Sequence, residues 1–119
     1  MPRFIPNPTQ IPVPGGKRID EYVGHVNSQT SGISVAHMRS PAGWTEPGQR
    51  PTFHEVTLVL SGMLMVEHAA GAMEVRGGQA IIAEPSEWVR YSTPAEGGAE
   101  YVAICLPAFT LVAANRDPE

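Results

Sequence analysis

Apolar and polar residues change places in short runs along most of this chain. From Arg18 onward no segment sustains a helical period over three turns; β-favouring residues instead gather in stretches bounded by Gly, Pro, Ser and Asn. The pattern predicts strands near Glu21 to Val26, Gly32 to Arg39, Thr52 to Leu60, Met63 to His68, Met73 to Arg76, Ala80 to Ala83, Trp88 to Tyr91 and Ala99 to Leu106. Turns are expected at Ser61-Gly62, Ala70-Gly71, Gly77-Gly78 and Gly97-Gly98, where glycine supplies the positive φ of tight hairpins. Many short strands with regular turns indicate an all-β barrel or sandwich. Ahead of them Pro2, Pro6, Pro8, Pro12 and Pro14 deny helix hydrogen bonds, so residues 1–17 read as an extended arm, either a loose tail or one docked on the barrel or on a second subunit. Residues 18–107 are assigned to the barrel, and 108–119 to a tail carrying no recognisable chemistry.

The 119 residues amount to one domain with one real core. A net charge of −4, with neither sign gathered into a block, argues against nucleic acid and membrane partners. Cys105 is the single cysteine, so no internal disulfide can form, and the proline-broken start does not look like a signal peptide; a reducing cytoplasm is the expected compartment.

The middle of the chain carries a spacing with a meaning. Gly43, then Gln49-Arg50-Pro51, then Glu55, then Gly62 reproduce the frame glycine, five residues, His-x-His, a glutamate, six residues, glycine. Further on, Gly78, Pro85-Ser86-Glu87, Arg90 and Pro94 follow a degenerate second frame in which a proline turn precedes a histidine. Both resemble the two motifs of the cupins, over roughly residues 30 to 106. The resemblance implies a cupin-type antiparallel β-barrel, or jelly roll, with a buried small-molecule pocket and the proline-rich arm at its N-terminus. It also implies a divalent metal held by three histidines and a glutamate. Of those four positions only Glu55 is retained; Gln49 offers a weak amide oxygen, Pro51 offers nothing, and Arg90 is a permanent cation. No cofactor is therefore expected, and a divalent transition metal only with non-standard ligands, for which His37 and His54 beside Glu55 are the candidates.

The remaining residues suggest proton chemistry. If both slots point inward, Arg90 lies near Glu55, either as a structural ion pair or as an anchor for a substrate carboxylate, enolate or phosphate while Glu55 moves a proton. His54 and Glu55 adjoin on one strand and must face opposite ways. The frame puts Glu55 inside, which leaves Val56, Leu58 and Leu60 outward and expects a cover over them, a second subunit in a homodimer or the arm. His37, His25 and His68, each on a predicted strand, are either surface or hydrogen-bonded residues or else ligands or proton carriers. His37 is the best candidate, on the strand leading into the first frame, where cupin pocket walls are often contributed, with its face left open by the sequence. Trp44, Trp88, Tyr91, Tyr101 and Phe53 are either core or pocket wall, and Tyr101 is singled out because metal-free sugar epimerases of this fold use a tyrosine. Glu55, His54 and Tyr101 are thus the candidate catalytic residues, and Arg90, His37, Gln49 and Trp44 the candidate substrate-binding ones. Three functions compete: a metal-independent isomerase, lyase or cyclase on a small polar or anionic ligand, a metal-dependent dioxygenase or decarboxylase with an unusual ligand set, and a binding protein without turnover.

Overall fold

The computed structural model describes residues 1–118. The elements in chain order are β1 (Thr9–Ile11), β2 (Arg18–Val23), β3 (Ser34–Ser40), β4 (Trp44–Thr45), β5 (His54–His68), β6 (Gly71–Arg76), β7 (Ala80–Ala83), β8 (Val89–Thr93), β9 (Ala99–Leu106) and one short helix, α1 (Leu111–Ala114). All strand pairings are antiparallel. The first half of β5 pairs with β9 and β7, and the ladder continues from β9 through β3 and β2 to β1. The second half of β5 pairs with β6 and β8, and β8 with β4. The barrel predicted from the sequence is therefore present as a sheet curled on itself, with β5 shared between its two faces.

That sharing corrects one expectation. Ser61-Gly62 does not turn the chain back; β5 runs through as one strand. A register shift between Val59 and Ser61, opposite Tyr101 and Glu100, bends the strand from one face to the other. Gly62 sits in the bend at φ 77°, and a Cβ there would lie 2.1 Å from the Gly98 carbonyl oxygen, so only glycine fits. The hairpin at Ala70-Gly71 and the turns at Gly77-Gly78 and Gly97-Gly98 fall where expected.

The core follows from strand alternation. Val59, Leu64, Val66 and Phe53 are fully buried, each stabilising the fold by roughly 1.5–3 kcal/mol. Part of the N-terminal arm is ordered as β1, paired with β2 in the register Thr9↔Glu21 to Ile11↔Ile19. The C-terminal tail is equally tied down. Thr110 caps α1 by accepting from the Ala113 amide, Phe109 packs on Phe53 with centroids 5.8 Å apart, and the Thr52 amide donates to the Ala113 carbonyl. No helix of the described residues is long and apolar enough to cross a membrane.

Candidate functional site

The inward positions of β2, β3, β5, β8 and β9 enclose a cavity of about 160 Å³. It exists because its walls are built from small residues: Ala36 on β3 faces Ala103 on β9, which in turn faces Thr57 on β5. Larger side chains at these positions would fill the space, as Val59 and Tyr101 do one pair along. Ile11, Pro12 and Val13 from the arm and Phe109 and Leu111 from the tail complete a mainly apolar lining.

Glu55 projects into this cavity and is 8% exposed. The Tyr91 hydroxyl donates to its Oε1 at 2.8 Å, and the Cys105 thiol lies 3.6 Å from Oε2. Burial pushes the Glu55 carboxyl above the usual carboxylate range, and the Tyr91 hydrogen bond and the Lys17 charge only partly reverse it. Burial, with the Glu55 charge second, holds Tyr91 well above an ordinary phenol, so it remains a hydrogen donor. Burial also raises the Cys105 thiol, which is therefore no thiolate nucleophile.

A second polar group lies beside the first. Lys17 Nζ is 3.8 Å from Glu46 Oε2 and sits 4.3 Å from the centroid of the Trp44 ring, with the Tyr101 ring 5.6 Å away. Its side chain is 7% exposed, and burial lowers its pKa against the opposing pull of Glu46 and Glu55. Arg116 donates through Nε to Gln49 Oε1 at 3.2 Å and approaches Glu46 Oε2 at 3.5 Å. Gln49 is fixed by a pair of backbone hydrogen bonds to Val89, at 2.9 and 3.0 Å. Tyr101 lines the cavity and shares a 2.8 Å hydrogen bond with Ser40.

The sequence-predicted residues divide by strand face. Glu55, Tyr101 and Gln49 share the cavity, and Trp44 stands behind Lys17. Arg90 does not join them: on β8 the inward side chains are Val89, Tyr91 and Thr93, and Arg90 pairs with Glu67 at 2.7 Å on the exposed outer face. The second frame was one residue out of register, and a slip of one moves every side chain to the other face. Tyr91 occupies the inward position that Arg90 was expected to hold. His54 also points outward, 3.0 Å from Glu84, as the alternation beside Glu55 requires. His37 faces away from the cavity, because Ala36 and Met38 take the inward positions of β3, and it meets Glu100 at 2.6 Å. An unusual metal site built from His37, His54 and Glu55 is thereby overturned.

Lys17 and Arg116 were missed because each lay outside the assigned barrel, in the arm and the tail. One signal was available: Lys17 is the chain's single lysine, every other Lys/Arg position being arginine.

The metal that the cupin resemblance implies does not fit these residues. Gln49 is committed to Arg116, Pro51 has no donor, the inward residue of β8 is a tyrosine, and among the described residues no group of three or more His, Cys, Asp or Glu could hold a metal ion.

No family model matches the chain. It is similar to a curated Myxococcus xanthus protein named Endoribonuclease YbeY, with 38% identity over 99 residues, 83% of this chain and 34% of that protein. The chain thus spans about a third of the length of that relative. Among solved structures it is similar to a variant of Bacillus subtilis oxalate decarboxylase (TM-score 0.77, 14% identity, 94% of this chain and 31% of that one). It is also similar to a variant of Streptomyces PAC13 with uridine (TM-score 0.76, 14% identity, 98% and 92%) and to KdgF from Halomonas (TM-score 0.71, 14% identity, 85% and 89%). At such identities the likeness concerns the fold: the chain is a small cupin-type barrel.

Proposed function

We propose that this small cupin is a metal-independent enzyme of the isomerase, lyase or cyclase type, moving a proton on a small polar or anionic organic molecule. The observation that carries this reading is the buried Glu55 carboxyl, hydrogen-bonded by Tyr91 at 2.8 Å inside a cavity whose lining also holds Lys17 and Arg116. A carboxyl whose proton affinity is raised by burial is a stronger base than an ordinary carboxylate, and positioned proton transfer of this kind is worth about 10²–10⁴ in rate. The cationic groups of Lys17 and Arg116 stabilise negative charge that develops on the substrate as the proton leaves. The cavity suits a molecule of metabolite size, and the likeness to a PAC13 variant with uridine supports a ligand of nucleoside or sugar character.

The test is deuterium exchange. Wild type incubated in heavy water with a panel of small hydroxy acids, keto acids, aldoses and uridine incorporates deuterium into at least one of them, and Glu55→Gln does not. Ligand-induced thermal stabilisation with no exchange across the panel leaves a binding protein in place of an enzyme.

The curated relative's name supports a second reading, RNA cleavage. The net charge of −4 and the acidic groups of the cavity oppose it, and the absence of cleavage of a single-stranded RNA by the purified chain removes it.

A further inference from the structure

A lysine is an unusual side chain to bury beside a mainly apolar cavity, because its ammonium is strongly hydrated and its stem flexible. This chain uses arginine at every other Lys/Arg position, and its one lysine is the buried residue. Two features distinguish Lys17 from a structural cation. Glu46 is shared with Arg116, which approaches the same Oε2 atom at 3.5 Å, so Lys17 does not own its counter-ion. Its Nζ also stands over the Trp44 face at 4.3 Å and lines the cavity that contains Glu55, where a bound molecule would meet it. A charge held only for packing would be served by arginine, which stacks on aromatic rings and pairs with carboxylates at least as well. What lysine alone adds is an amine that becomes a nucleophile when desolvated.

We propose that Lys17 is the carbonyl-capturing residue of this cavity, condensing with the aldehyde or ketone of a small substrate to form an imine. The inference rests on the proton-transfer reading of the site and deepens it by naming the substrate class, carbonyl compounds. The step balances without an added oxidant or reductant. Glu46 takes the proton from the Nζ ammonium, the free amine adds to the carbonyl carbon to give a carbinolamine, and a N–C bond forms as the C–O π bond breaks. A proton passes from nitrogen to the alkoxide oxygen, and the proton held by Glu46 then returns to the carbinolamine hydroxyl, which leaves as water as the protonated N=C bond forms. The imine draws electrons from the adjacent carbon and acidifies its C–H, the proton that Glu55 is placed to move. Burial, which lowers the Lys17 pKa, enlarges the fraction of free amine at neutral pH.

The test is reductive trapping on the full chain. Wild type is incubated with glycolaldehyde or pyruvate, treated with sodium cyanoborohydride, and read by intact mass and peptide mapping. The expected result is one adduct per chain at Lys17, formed at least tenfold faster than on the N-terminal amine, the chain's other amino group, and lost on unfolding in urea before treatment. Lys17→Arg, which keeps the charge, folds with an unchanged near-ultraviolet dichroism spectrum and gives no adduct beyond the N-terminus. Labelling of Lys17 no faster than the N-terminus with both carbonyls, or equal labelling of folded and unfolded chains, overturns the proposal. The readout is independent of turnover: wild type that exchanges deuterium yet traps no carbonyl sinks the imine alone, and wild type that traps at Lys17 yet exchanges nothing sinks the proton-transfer reading alone.

Discussion

Tyr91 on β8 donates its hydroxyl to Glu55 on β5 across 2.8 Å, so the two residues that face each other inside the barrel come from the two halves of the recognised frame. The hydrogen bond favours ionised Glu55, whereas burial favours the neutral acid. Tyr91→Phe removes the first influence and leaves the second. The pH at which deuterium exchange turns on is therefore expected to move upward, with the maximal rate reduced about 10²-fold or more. The loss of a buried hydrogen bond costs about 1–3 kcal/mol in urea denaturation. An unchanged pH–rate profile in Tyr91→Phe would show that the hydroxyl does not tune the carboxyl.

Glu55 also leaves a signature in stability against pH. Its folded pKa lies above the unfolded one, so over the window from the ordinary glutamate value, about 4.3, up to the raised folded value the native state binds more protons than the unfolded chain. Stability contributed by Glu55 falls as pH rises through that window and stays lower above it. Glu55→Gln keeps the shape, cannot ionise, and removes the slope. The variant's melting temperature relative to wild type is expected to rise as the pH increases from the ordinary glutamate value, about 4.3, through the raised folded value. A difference that is flat or falls over that span contradicts the buried, proton-holding carboxyl.

Arg90 and Arg116 provide a paired test of where the cavity's guanidinium lies. Arg116 reaches Gln49 and Glu46 at the cavity, whereas Arg90 meets Glu67 on the outer face. Arg116→Ala is expected to raise KM for the exchanging substrate by tenfold or more, and Arg90→Ala to leave both KM and melting temperature unchanged. The reverse pattern would restore the sequence-based placement of Arg90.

These two arginines also mark what the sequence could disclose. The spacing of Gly43, Glu55 and Gly62 was readable because backbone needs fix it: a positive-φ turn at Gly43, an inward carboxyl, and a bend at Gly62 with no room for a Cβ. From Glu55 inward the β5 alternation followed. Orientation on β8 was not readable, since the turn at Glu84 to Glu87, with Ser86 at φ 71°, sets the register of the strand after it. Ser61-Gly62 carries the composition of a hairpin, and only its pairing partners show that it is a bulge. Lys17 and Arg116 come together across 99 positions of chain through β1, α1 and the loop at Gln49, a long-range closure that local pattern does not encode.

The outer face of β5, β7 and β9 supports the remaining prediction. Leu58 (41% exposed), Leu60 (47%), Ile82 (63%) and Leu106 (41%) lie on strands paired side by side, forming an apolar surface of the kind that marks contact with another protein. The arm was one candidate cover, but its ordered part runs along β2 and lines the cavity, at the other end of the sheet. A second copy of the chain is the remaining candidate raised by the sequence, and association through this face is expected to be two-fold and self-complementary. Sedimentation velocity of wild type should report a dimer at micromolar concentration. The double variant Leu58→Glu, Leu60→Glu should report a monomer with the same near-ultraviolet dichroism, since neither side chain enters the core. A wild-type chain that sediments as a monomer at the highest accessible concentration leaves this surface to a different partner.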